Sequence, residues 1–522
     1  MKSLQRLLLG AALATAASML PAMAEAQVLR VAVQNMAPYL DPGRDFSNVG
    51  SQFYLNTFEP MIEKDYTTVE HKWLPGLATS WKQTSPTTME LKIRKGVKFQ
   101  NGDDMTVDDV VFSLDRIINA QFPFYAARKN DTLPNMASIE AIDDETVRVT
   151  AKKPEPLFEV LLNTQQTTIV PKHYIMGLSG DPNAIEDSDY EAFGLKPVGT
   201  GPYKIAEYVP NEKLVYERFD GYWGDKAPFE RIEIRRVPEL SARITALKNG
   251  EADLITNVPP DQIEAISGDP SLKVEGMQTP LFHVIIFNTQ NPAVANPKLR
   301  QALSLAVDRD TLNEALWFGK AKVPSTHTFE QFGELYMPEL KTFRYDPEEA
   351  KRLVAESGYT GETLKYDLHA AYYTNEMLVG QALKEMWEAV GIKVDLNVTE
   401  EWTGADPNME IRSWSNPMYY TDPAGAFGVM WGPTGNSVGE NRFKPSEEYI
   451  KAWDRFRYST DVAERKAAYA ELMQMIADDP PVLPLYQPYE SYGMKANLDW
   501  KPLPGHIPYV LNFRAGHAAF TD

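Results

Sequence analysis

From residue 28 to residue 486 the sequence alternates short strand-like runs with capped amphipathic helices, and this restricts the fold to α/β architectures with open sheets. VLRVAV (Val28–Val33) has the composition of a buried strand, while Thr88–Gly96 sets Met89, Leu91 and Ile93 against charged partners, as a half-exposed strand does. Thr106, with Asp109 three residues on, starts a helix whose apolar face is Val110, Val111, Leu114, Ile117 and Ile118. Thr146–Ala151 returns as a strand, and Pro202–Val209 with Lys213–Phe219 reads as a hairpin turning at Asn211. Arg231–Val237 is a further strand, and Ser241–Lys248 a helix that Gly250 stops. The later half repeats the pattern: a strand from Phe282, a helix opened by Pro297, and one capped by Asp346 with acids in its first turn. A helix over 375–390 with Leu378, Leu383, Met386 and Val390 on its apolar face follows, then strands at Ile392–Val398 and Met409–Trp414. Asp461 and Glu464 start a last long helix before Pro480-Pro481, and Val482–Tyr486 is a strand.

Composition closes off several functions. The 522 residues contain no cysteine, which excludes disulfides, cysteine nucleophiles and thiolate metal sites. Against 72 Asp+Glu stand 52 Lys+Arg, a net charge of −20, so a partner tracked through its phosphates, DNA or RNA, is not expected. The first 26 residues carry Lys2 and Arg6, then an apolar stretch from Leu7 to Leu20, then Ala22-Met23-Ala24 and Ala24-Glu25-Ala26, the pattern of a secretory signal peptide cleaved after Ala26. The apolar stretch is too short to span a bilayer. A periplasmic, soluble mature chain is expected.

The seven histidines are scattered with no pair at helical ligand spacing, so neither metal nor cofactor is expected, and Gly199-Thr200-Gly201 lacks the third glycine of a phosphate loop. Gly435-Asn436-Ser437-Val438-Gly439 matches the GxSxG of a nucleophile elbow, which leaves a secreted serine hydrolase using Ser437 as an alternative. Its flanks read as loop, where an elbow needs a strand before and a helix after. Paired acids such as Asp103-Asp104 and Asp108-Asp109 read as turns and helix starts. Trp402, Trp414, Tyr419, Tyr420, Phe427 and Trp431 crowd a stretch otherwise rich in Ser, Asn, Gly and Pro, and are read as a pocket wall in preference to a core.

Several strings, taken in order, resemble the extracytoplasmic solute-binding proteins of ABC importers, family 5, the peptide/opine/nickel-binding group. They are Leu29–Pro42 ending in LDP, Leu74–Trp81 (LPGLATSW), Leu91–Ile117, GTGPYKI at Gly199–Ile205, Gly221-Tyr222-Trp223, Ala246–Leu254 and Leu299–Asp310. The resemblance implies a bilobed type II clamshell of the large class, with an extra subdomain and a two-stranded hinge. The signal peptide would occupy 1–26 and lobe I 27–70, 191–282 and 486–522. The family-specific insert of lobe I would occupy 71–190 and lobe II 283–485, with crossings near His283 and Leu485 in strand-like runs.

The same resemblance implies capture without catalysis of a peptide or peptide-like solute, delivered by a monomer to an inner-membrane permease and its ATPase subunits. An oligosaccharide ligand or a chaperone-like peptide binder are the remaining alternatives. Many peptide-binding relatives show W-x-x-D-x-x-D/E-P, whose first acid holds the peptide ammonium. Here Trp414–Pro423 puts Pro417 or Tyr419 at that place, and neither carries charge. A buried ammonium without a counter-charge is costly, so a modified peptide or opine-like conjugate is expected. The implied ligand-binding residues are Trp414, Ser413, Ser415, Asn416, Tyr419, Tyr420, Asp422, Trp402, Tyr39, Asn35, Tyr125, Thr434 and Tyr486, with the backbone of Ser413–Asn416 available to an extended ligand.

Overall fold

A computed structural model of the protein describes residues 27–44, 47–70, 72–119, 133, 135–178, 187–370, 372–399, 406, 408–505 and 510–521. The expected signal peptide, Tyr125 and Trp402 lie outside the described residues.

In chain order the strands are β1 (Val28–Val33), β2 (Ile62–Lys64), β3 (Trp73–Pro75), β4 (Ala78–Ser85), β5 (Thr88–Ile93), β6 (Met136–Asp143), β7 (Thr146–Ala151), β8 (Tyr203–Val209), β9 (Lys213–Arg218) and β10 (Arg231–Arg236). They continue with β11 (Leu254–Ile255), β12 (Leu272–Gln278), β13 (Leu281–Phe287), β14 (Leu364–His369), β15 (Val394–Thr399), β16 (Ile411–Pro417), β17 (Val482–Tyr486), β18 (Tyr489–Lys495), β19 (Leu498–Trp500) and β20 (Ala518–Phe520). A seven-stranded sheet runs β12-β18-β11-β1-β10-β9-β8 and a five-stranded sheet β15-β14-β16-β13-β17. A four-stranded antiparallel sheet, β4-β5-β7-β6, lies within the stretch expected to be an insert and is called the insert below.

Patterning explains each placement. In β10 Ile232 and Ile234 are fully buried while the charged residues between them face outward, and Arg231–Arg236 pairs in parallel with β1. All seven residues of β13 are buried, as suits a strand sandwiched between β16 and β17. The Thr106–Asp109 capping box forms as read, with the Asp109 carboxylate accepting from the Thr106 N–H at 2.8 Å. Gly250 ends its helix at φ +74°, a conformation that costs glycine little. Gly199 serves close approach instead: a Cβ there would lie 2.2 Å from the Thr57 carbonyl oxygen. The Gln100 side chain seals this junction, accepting from the Gly199 N–H and donating to the carbonyls of Thr57, Gly201 and Tyr203.

Two details differ from the sequence reading. On helix Glu376–Ala389 the buried stripe is Glu376, Val379, Gly380, Leu383 and Trp387, and Leu378 is 52% exposed, because the face turned to β14 lies one residue further along than the apolar count suggests. The strand read over Met409–Trp414 starts at Ile411 and runs on to Pro417, held by an unbroken ladder to β13.

The chain passes from the first large sheet to the second at Thr279-Pro280 and back at Gln487-Pro488, so His283 and Leu485 lie within strands of the five-stranded sheet. The two linkers are stitched together: the Thr279 N–H donates to the Pro488 carbonyl at 3.0 Å and Gln487 Nε2 to the Thr279 carbonyl at 3.2 Å. The seven-stranded sheet and the C-terminal strands share one apolar core around Val31, Ile232, Tyr216, Leu254, Trp500 and Phe513. Apolar residues of the insert, including Leu91, Val149, Leu157 and Leu161, fall in one contiguous cluster with those of the five-stranded sheet and its helices. Across that junction Arg457, on helix Glu447–Tyr458, grips the Glu155 carboxylate with two bonds of 2.7 and 2.6 Å, both side chains being essentially buried.

Candidate functional site

The two linkers leave a cleft between the large sheets, and the segment Asn48–Asn56, two short 3₁₀ turns, lines it on the side of the seven-stranded sheet. Asn48 reaches across: its Nδ2 donates to Ser415 Oγ on β16 at 3.2 Å. The Tyr373 hydroxyl donates to the same Ser415 oxygen at 2.9 Å. Two cavities lie along this segment.

The first, about 560 Å³, is lined mainly by uncharged groups of the seven-stranded lobe and the insert, among them Tyr54, Leu55, Tyr66, Val160 and Thr164, and by Tyr419, Tyr420 and Thr421 from beyond β16. The second, about 500 Å³, is polar. Asn35, Asn48, Gln52, Asn257 and Glu490 enter it from one lobe, and His283, Trp317, Tyr372, Tyr373 and Thr374 from the other, with Pro488 of the hinge at its margin. Burial pushes His283 down to about 3, so its ring is neutral at physiological pH, and pushes the Glu490 carboxyl up to about 8, against the Asn257 N–H that donates to it.

The residues expected from sequence are distributed unevenly around this cleft. Asn35 lines the polar cavity, and Tyr419 and Tyr420 line the other. Ser415 makes the contact to Asn48. Ser413 is buried beneath, its hydroxyl 2.5 Å from that of Tyr366. Asn416 is fully buried, bonded to the His327 ring and, at 2.9 Å, to the Ala426 carbonyl. Asp422 holds Arg465 at 2.7 Å and caps the turn at Ala424, so its charge is used inside lobe II. Trp414 is half-buried, packed against the lobe II core and near the Arg412 guanidinium. Tyr486 is wholly buried, its ring between His283 and Trp317. Tyr39 lies under the Arg44 guanidinium, and Thr434 is exposed; neither lines either cavity.

The aromatic stretch splits accordingly. Phe427 and Trp431 are stacked at 5.4 Å inside the core with His327 and Tyr469, which corrects their reading as pocket wall: they sit on a short helix packed beneath helix Val462–Asp478. Ser437 lies in a helical turn, Asn436–Gly439, preceded by loop and by helix Phe427–Trp431, and it is 3% exposed. The strand–turn–helix that an elbow requires is not formed there, which removes the hydrolase alternative.

Sequence reasoning passed over Asn48, Gln52, Asn257, His283, Trp317, Tyr373 and Glu490. One signal was available. Ser47–Asn56 mixes Asn, Gln and Ser with Phe and Tyr, the same composition that drew notice to residues 402–431.

The family described as bacterial extracellular solute-binding proteins, family 5 Middle, matches residues 72–438. The chain belongs to this family. Family 5 proteins are transport components, and this one is a substrate-binding protein with the bilobed fold. The dipeptide-binding protein of Escherichia coli K12 is 27% identical over 444 residues, 78% of this chain and 80% of that protein. Among solved structures, the periplasmic binding protein DppA from Helicobacter pylori in complex with the peptide STSA superposes with a TM-score of 0.83 at 23% identity, over 94% of this chain and 98% of that one. AgaA from A.tumefacien R10, in complex with agropinic acid, superposes with a TM-score of 0.77 at 21% identity, covering 92% and 95%. Family 5 membership also explains why strings such as GTGPY are legible: Gly199 and Gly201 are held against Asn56 and Thr57, at the base of the segment that lines the cleft. Among the described residues no helix is long and apolar enough to cross a membrane.

Proposed function

We propose that this protein is the periplasmic receptor of an ABC importer, closing its two lobes on a modified, peptide-like solute and presenting the closed form to an inner-membrane permease. The observation that carries the reading is the polar cavity to which both lobes contribute. A solute held by Asn35, Asn48 and Asn257 on one side and by Tyr373 and Trp317 on the other favours closure through contacts that exist only when the lobes meet.

Two further features support a peptide-like ligand. The ladder between β14 and β16 covers only Ile411 and Arg412, so the edge of β16 from Ser413 to Pro417 lies beyond β14's register and suits strand-like pairing with an extended backbone. The residues lining the two cavities include no Lys or Arg. The free carboxylate of an ordinary peptide would be buried there without a counter-charge. A peptide blocked at that end fits better than an opine rich in carboxylates. The relatives named above, one a dipeptide-binding protein and one holding a peptide, agree with the class.

The test is native mass spectrometry of the protein purified from its own host, followed by thermal-shift screening of the co-purified compound and of blocked and unblocked peptides. A bound compound recovered intact, with a raised melting temperature, is expected. Conversion of the compound by the protein would refute the reading.

A further inference from the structure

The sequence left an ammonium without a partner because the residues counted from Trp414 and from Asp422 are uncharged. A carboxylate reaches the cleft from another part of the chain. Glu490, the second residue of β18, lines the polar cavity and is 6% exposed. Among the described residues its carboxylate accepts one hydrogen bond, from the Asn257 N–H at 3.1 Å. Asn257 holds a left-handed backbone, φ 56°, which asparagine adopts more readily than most residues with a side chain, and the Thr256 hydroxyl donates to its Oδ1 at 2.7 Å.

Arg243 acts on this acid through space, without a hydrogen bond to it among the described residues, and burial still leaves the carboxyl raised. Arg243 donates to the carbonyls of Val237, Pro238, Thr256 and Asn257 at 2.6–3.3 Å, which uses its guanidinium on backbone oxygens behind the cavity wall. The cavity lining holds no Lys or Arg, and its one imidazole, His283, is neutral. What remains is a chamber of amides and aromatic rings with a single acid. Amide oxygens and ring faces both favour a cation, and a buried carboxylate is costly until one is supplied.

We propose that Glu490 is the counter-charge for a protonated amine of the solute, which narrows the class to amine-bearing peptide-like compounds. The inference rests on the preceding reading that a peptide-like solute occupies the cleft. The ammonium would donate to the carboxylate oxygen not engaged by Asn257, with the Asn35, Asn48 and Gln52 amides around it.

The probes are two matched pools of dipeptide amides, one with free N-termini and one N-acetylated, titrated calorimetrically against the wild type and Glu490→Gln at pH 8. Removing one member of a buried charge pair weakens binding by about 30-fold or more. The expected result is at least that preference for the free amine in the wild type, and its loss in the variant because the free-amine pool weakens. Equal binding of both pools by the wild type would overturn the inference, and so would a preference that survives in Glu490→Gln. The wild-type comparison stands by itself if the variant does not fold. Binding of neither pool would overturn the peptide-like reading and this inference with it. Binding of both pools without discrimination would leave that reading intact and remove only the role of Glu490.

Discussion

Replacing Arg457 by Met tests how much of lobe closure is built into the protein. Arg457 and Glu155 are 2% and 0% exposed and share two short bonds. The methionine keeps most of the buried stem and removes the guanidinium. Glu155 then keeps two donors, Asn135 Nδ2 and the Leu157 N–H, both at 3.0 Å. Breaking a buried pair costs about 3–5 kcal/mol, and the two surviving donors put the effect near the lower figure. The neighbouring Lys153–Asp454 pair, half-exposed on both sides, adds less than about 1 kcal/mol. If opening separates the insert from lobe II, only the closed form loses this contact, and about 3 kcal/mol moves the open–closed ratio by roughly a hundredfold. The assay is the distribution of distances between spin labels at cysteines introduced on the two lobes, which the absence of native cysteine makes clean. The empty variant is expected to show longer distances than the empty wild type. A lower melting temperature with unchanged distances would refute the reasoning, because the insert and lobe II would then be moving as one body.

Gly199→Ala is expected to destabilise the protein by about 1–3 kcal/mol, read as a lower urea midpoint, because its methyl meets the Thr57 carbonyl. Trp414→Ala is expected to lower the melting temperature of the empty protein by several degrees, since the ring packs on the lobe II core; a loss confined to ligand affinity would place the ring in the site instead. Stability of the empty protein is expected to fall between pH 6.5 and 8. Burial raises the Glu490 carboxyl to about 8, against the Asn257 N–H and Arg243, and the Glu376 carboxyl to about 7, against Ser413; both hold protons that the unfolded chain has released, and that stability is lost as pH rises through those values. His283, lowered to about 3, acts in the opposite sense and only below about pH 6.5, so it does not mask the decline. Urea melts of wild type and Glu490→Gln at pH 6.5 and 8 check this; an equal slope in the variant would assign the effect to other groups.

Local chemistry made the elements legible. The capping box at Thr106, the Asp346 and Asp461 caps, the Asn211 turn and the wholly buried β13, apolar but for His283, form as their residues dictate. Of the residues expected to bind ligand, Asn35, Tyr419 and Tyr420 fall on the cavity walls, and Ser415 beside them, where the chain follows a strong local signature. Phe427 and Trp431 show the limit of composition: ring-rich sequence wraps a core as readily as a pocket, and only the packing of helix Val462–Asp478 decides between them. Glu490 and Asn257 are separated by 233 residues and meet because β11 and β18 are neighbours in one sheet, a relation no spacing within either segment records.

Each linker between the lobes ends in a proline, Pro280 and Pro488, just after the residue that ties it to its companion. A proline ring fixes φ and offers no N–H, so torsional freedom at each joint is reduced at the same level on both. Rotation at each joint is left to ψ and to the neighbouring residues, so twisting one lobe past the other is expected to cost more than it would across unrestricted linkers. A solute that fits only a twisted arrangement of the walls would have to strain both joints at once.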